Sequence, residues 1–77
     1  MHRKDERKVA KLKADANKIM HLCLAKGWNI RELGIQSDVA PSTVWRVIQG
    51  SQPHPRTAKK IADALQVEVL EIFSVKL

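Results

Sequence analysis

Apolar residues recur every three or four positions along most of this chain, which is the period of an amphipathic helix. Val9, Leu12, Ala16, Ile19 and Cys23 form one such stripe, widened by Met20, Leu22 and Leu24. No Gly or Pro interrupts Met1 to Lys26. Asp5 and Glu6 near its start and Lys26 at its end suit the helix dipole, and Gly27 supplies a stop. The pattern predicts one long first helix from about Asp5 to Lys26. A second helix, Ile30 to Ser37, turns Ile30, Leu33 and Gly34 inward. A third, Pro41 to Gln49, turns in Val44, Val47 and Ile48. A fourth, Pro55 to Gln66, turns in Ala58, Ile61, Ala62 and Leu65. Strand-like alternation is nearly absent before Val67, although the run from Val67 to Phe73 carries strand propensity by itself.

The second and third helices are separated only by Asp38, Val39 and Ala40, a corner and nothing more. Gly34 has no Cβ, so the third helix can cross close above it, at the cost of poor helix propensity. Asp38 sits where the chain reverses, and Asp tolerates the left-handed region better than most residues. Val39 plugs the gap between the helices. Pro41 suits a first helical turn, where Ser42 or Thr43 can satisfy free amides. Gly50 ends the helix. Two helices joined by so short a turn form a helix-turn-helix, whose second helix can enter a DNA major groove.

Asn29 to Gly50 resembles the helix-turn-helix of the Cro/phage-repressor family, the xenobiotic-response-element type. Gly27-Trp28-Asn29 is similar to the family's Gly-Leu-Ser lead-in. Pro55 followed by Ile61-Ala62-Asp63-Ala64-Leu65-Gln66-Val67 is similar to its fourth helix, "P…lAkaLgV". Glu71-Ile72-Phe73 falls where a fifth helix closes the core. The resemblance covers roughly Asp15 to Phe73. It implies an all-α, lambda-repressor-like domain of five helices, here with an extended first helix. The corresponding divisions are a basic extension over 1–13, the domain over 14–73 and a tail over 74–77.

The resemblance also implies where DNA would lie. The outward face of the third helix shows Pro41, Ser42, Trp45, Arg46 and Gln49, with Thr43 beside them. These are the candidate base contacts. Arg46 can engage a guanine with two hydrogen bonds, while Gln49 and Ser42 can reach base edges or phosphates. Trp45 is read as facing the groove, because an exposed Trp on a polar face needs a reason. Candidate phosphate contacts are Asn29, Arg31, Ser51, His54, Arg56 and Lys59. For Lys60 an ordinary solvated helix face suffices. Trp28, just after the first helix, is read as core, and Asn29 as a helix cap. Ile30 departs from the family pattern, which places a phosphate-bonding Gln there, and Arg31 is the available substitute.

A basic balance fits an anionic partner: the 77 residues carry a net charge of +6. Arg3, Lys4, Arg7, Lys8, Lys11 and Lys13 concentrate that charge at the N-terminus, as a phosphate-contacting arm or a merely solvated face. Val9 and Leu12 offer a surface for a second subunit. Hydrophobic content of 44% allows one small core, and 4% aromatic content makes it aliphatic. A single cysteine excludes an internal disulfide and suits a reducing compartment. No apolar run reaches membrane-spanning length, so a cytoplasmic, nucleoid-associated place is expected. No nucleophile–base spacing, glycine-rich phosphate loop or metal-ligand spacing is readable; His21 and Cys23 diverge on their helix. The expectation is a non-enzymatic regulator without metal or cofactor, binding double-stranded DNA as a homodimer and acting as a repressor. The rival is a protein-interaction module on the same fold.

The family often joins an Arg in the first helix to a Glu near the end of the third. Cys23 and Ile48 stand at those positions. Replacing both partners of a buried ion pair with apolar groups is tolerated, whereas restoring one alone strands a charge. The joint change predicts contact between Cys23 and Ile48. Cys23→Arg is expected to destabilise the fold strongly, and an unchanged thermal midpoint would remove the basis for that contact.

Overall fold

A computed structural model describes residues 11–76. Its elements are β1 (Lys11–Ala14), α1 (Ala16–Lys26), α2 (Ile30–Ser37), α3 (Pro41–Ile48), α4 (Pro55–Leu65), α5 (Val69–Ile72) and β2 (Phe73–Lys76). Five helices follow the expected order. The all-α reading needs one amendment, because β1 and β2 pair antiparallel in a two-stranded sheet.

That sheet replaces part of the predicted first helix. The helix begins at Ala16, and Asp15 caps it: its backbone is extended and its carboxylate accepts from the Lys18 amide at 3.1 Å. An Asp competes well for a free N-terminal amide and poorly for a helix interior. Before it, Lys11 pairs with Lys76, Leu12 with Val75, Lys13 with Ser74 and Ala14 with Phe73. Leu12, Ala14 and Phe73 therefore share the inner side of the ribbon, and all three pack on the core. Leu12 thus packs against its own chain's core. The remainder of the predicted helix, with Arg3, Lys4, Arg7, Lys8 and Val9, lies outside the described residues. At the other end, α5 stops at Ile72, Phe73 begins a strand, and residues 74–76 form its continuation rather than a tail. The divisions at 13/14 and 73/74 fall inside this one sheet. A further backbone bond, from the Asp15 amide to the Ile72 carbonyl at 2.8 Å, joins the start of α1 to the end of α5.

The core is aliphatic, as composition predicts, with one aromatic ring. Ile19 and Cys23 of α1, Leu33 of α2, Val44 and Val47 of α3, and Ala58, Ile61, Ala62 and Leu65 of α4 are buried together with Ile72 and Phe73. Ile48 packs against this cluster while partly exposed. Burial also holds the Cys23 thiol above its ordinary pKa, because the thiolate is poorly solvated there. Leu24 does not widen the apolar stripe as its spacing suggests: it is 69% exposed. Trp28 is half-buried against the core, with the Lys26 ammonium 5.4 Å from the centre of its ring.

The corner between α2 and α3 is tight at the backbone. A Cβ on Gly34 would lie 2.8 Å from the Val39 carbonyl oxygen and 3.1 Å from the Pro41 Cα. Asp38 adopts the left-handed conformation, φ 61°, and the Val39 amide donates to the Gly34 carbonyl at 2.9 Å. Ser37, buried, donates its hydroxyl to the Leu33 carbonyl at 2.6 Å and so needs no solvent. Helix α4 ends the same way, with Gln66 at φ 62° and the Val67 amide bonded to the Ala62 carbonyl.

Two outcomes follow from this packing. Gly34→Ala is expected to cost ~1–3 kcal/mol in chemical denaturation, since both contacting groups are backbone or ring atoms that cannot swing away. Backbone chemical shifts for residues 11–14 are expected to be strand-like, with cross-strand proximity of Leu12 and Val75. Helical shifts there would restore the continuous first helix.

Candidate nucleic-acid interface

The amphipathic division of α3 places its polar face outside. Val44 and Val47 are buried, and Ile48 is half-buried. Pro41, Ser42, Trp45, Arg46 and Gln49 are exposed, while Thr43 is half-buried and only partly available. At the start of the helix Pro41 occupies the first turn, where no amide is required, and Ala40 provides no side-chain cap. The expected capping by Ser42 or Thr43 is absent here. The Thr43 and Val44 amides bond instead to the Ala40 carbonyl, at 2.9 and 3.1 Å. At the far end the Gln49 amide bonds to the Trp45 carbonyl and the Ser51 amide to the Arg46 carbonyl, both at 2.9 Å. Gly50, at φ 115°, then turns the chain away.

The candidate phosphate contacts divide by how their polar atoms are already used. Asn29 caps α2: its Oδ1 accepts from the Glu32 amide at 2.8 Å, which leaves only the amide nitrogen for another partner. Arg31 is exposed on the first turn of α2. Ser51, His54 and Arg56 are exposed in and after the α3–α4 loop, which is pinned by the buried Pro53. His54 is also the cap of α4. Its Nδ1 accepts from the Arg56 amide at 3.1 Å, so its other ring nitrogen is the one left for an external partner. The capping role of His54 is not evident from the sequence, which suggests only a phosphate contact there. A cap position filled by His carries no strong local signal, because Ser, Thr, Asp and Asn dominate there.

The cations on the three helices around the corner differ in how they are held. Lys59 is tied to Asp63 one turn on, at 2.9 Å, and the carboxylate's hydrogen bond and charge raise the ammonium pKa. Lys60 lies 3.8 Å from the Asp38 carboxylate, linking α4 to the corner. Both pairs are solvent-exposed, and such pairs are weak and screened by salt. Among the described residues Arg31, Arg46 and Arg56 form no ion pair. Lys11, Lys13 and Lys18 likewise form no ion pair among the described residues, but only arginine presents a planar fork of donors suited to phosphate or a guanine edge.

Among the described residues no group of three metal-ligating side chains occurs, and no helix is long and apolar enough to cross a membrane.

No curated protein and no solved structure matches the chain. A family model described as helix-turn-helix matches residues 19–72, which takes in the core of α1, the whole α2–corner–α3 unit and the closing helices α4 and α5. With the tight corner at Gly34 and the outward polar face of α3, that match places the chain in the Cro/C1-type, xenobiotic-response-element helix-turn-helix family of DNA-binding domains.

Proposed function

We propose that this protein is a sequence-specific transcriptional regulator that represses by occupying an operator in double-stranded DNA. The observation that carries the reading is the outward face of α3. Ser42, Trp45, Arg46 and Gln49 are exposed together there, while Val44 and Val47 hold the other side in the core. In a helix-turn-helix this face enters the major groove. Arg46 would engage a guanine through O6 and N7, and Gln49 and Ser42 would reach neighbouring base edges. Asn29, Arg31, Ser51, His54 and Arg56 would meet phosphates on either side, fixing register without reading sequence. Lys59 would join them by exchanging Asp63 for a phosphate.

In this reading the regulator is a two-fold homodimer whose α3 helices enter grooves about 34 Å apart. It needs no cofactor, carries no catalytic activity and works in the cytoplasm at the nucleoid. A second reading, a protein-interaction module, draws on Leu24 and Leu70, which are 69% and 70% exposed. Salt-insensitive binding to a protein partner, with no duplex preferred, would favour it.

The test is selection from a random duplex library, followed by titration of the selected and a scrambled duplex across a salt series. An inverted repeat bound much more tightly than scrambled DNA is expected. Arg46→Ala should lose ~1–3 kcal/mol of that discrimination. An equal loss on selected and scrambled DNA would reduce Arg46 to a phosphate contact.

A further inference from the structure

The exposed face of α3 is two-sided. Pro41 and Trp45, one turn apart, make an apolar lane. Ser42, Arg46 and Gln49 make a polar lane beside it. Trp45 is 52% exposed, and it is absent from the hydrophobic residues that pack on the core, whereas Trp28 is among them. Just over half of its surface is therefore open to solvent. Keeping so large an apolar ring in water is unfavourable, and only a ligand with a matching apolar surface would remove that cost.

The floor of a major groove offers one such surface. Base faces are stacked away inside the duplex, and the base edges are hydrogen-bond donors and acceptors except at one point, the C5-methyl group of thymine. We infer that Trp45 packs on a thymine C5-methyl group lying next to the guanine that Arg46 engages. Trp45 and Arg46 point about 100° apart but their Cα atoms are only ~3.8 Å apart, so two exposed long side chains there can reach adjacent base pairs. The inference rests on the DNA-binding reading and deepens it: the operator half-site carries a guanine–thymine pair of contacts, one polar and one apolar. Trp45 is then a specificity residue, separate from the charges that supply general affinity.

Replacing thymine with deoxyuridine deletes the methyl group and leaves the pairing and hydrogen-bonding edges intact. Each thymine of the selected duplex is replaced in turn, and binding is measured for the wild type, Trp45→Ala and Trp45→Phe. Because Trp45 is exposed, both variants should keep the wild-type thermal midpoint within a few degrees. At one thymine, adjacent to an Arg46-dependent guanine, the wild type is expected to lose about fourfold in affinity, the worth of one buried methyl. Trp45→Ala should lose less than about twofold at that base, and Trp45→Phe should retain most of the wild-type effect. A selected duplex bound specifically, with uridine equally costly to wild type and Trp45→Ala, overturns the inference and leaves the operator reading standing. Absence of any preferred duplex overturns both.

Discussion

The distance between α2 and α3 is set by the missing side chain of Gly34. With the Val39 oxygen and the Pro41 ring already at the limit of contact for a Cβ, the two helices meet backbone to ring with no layer of side chains between them. Everything outward follows from that approach. The corner has room for three residues only, so Asp38 must take the left-handed conformation and Val39 must fill the gap. Ser37 turns its hydroxyl back onto the α2 carbonyls instead of presenting a polar group to the contact. Once α3 is seated, burial of Val44 and Val47 determines which side chains face out. The rotation of the outward face is thus a consequence of core packing, and its position is a consequence of one glycine.

The corner could be read in the sequence because its signals are local. Gly34, Asp38, Pro41 and Gly50 each have a backbone reason to be where they are, and the apolar spacing on α2, α3 and α4 repeats over whole turns. The ribbon could not be read that way. Lys11-Leu12-Lys13-Ala14 satisfies both periods, since Leu12 lies four residues before Ala16 and two before Ala14. What decides between them is pairing with Phe73–Lys76, some sixty residues away in the chain, as in Lys13 with Ser74. No local period carries that information. The strand propensity of the Val67–Phe73 run was real but displaced: α5 takes its middle, and the extended conformation begins at Phe73. Gln66 is a smaller case. The family pattern has a small residue there, and the left-handed φ of Gln66 is the reason.

The charge balance is less uniform than the total of +6 suggests. Lys59 and Lys60 are occupied by Asp63 and Asp38, whereas Arg31, Arg46 and Arg56 have no carboxylate partner among the described residues. Both lysine pairs are exposed, so they hold their partners weakly and are screened by salt. The arginines differ in kind. Their donors are arranged for planar acceptors, and they stand on α2, α3 and α4, one on each of the three helices packed around the corner. Such a distribution spreads unpaired positive charge over three helices instead of one.

Adjacent residues of α3 belong to different tasks. Val44 and Val47 sit in the core, while Trp45 and Arg46 between them sit in solvent. A substitution at Trp45, Arg46 or Gln49 therefore touches none of the buried cluster, and the small aliphatic core of Ile19, Leu33, Ile61 and Leu65 is left as it was. A substitution at Val44 or Val47 opens a cavity in a domain with little stability in reserve. The same helix consequently has two nearly independent faces, one that holds it in the core and one open to solvent. Because packing depends on one face only, exposed side chains can be exchanged while the corner at Gly34 continues to hold α3 in place.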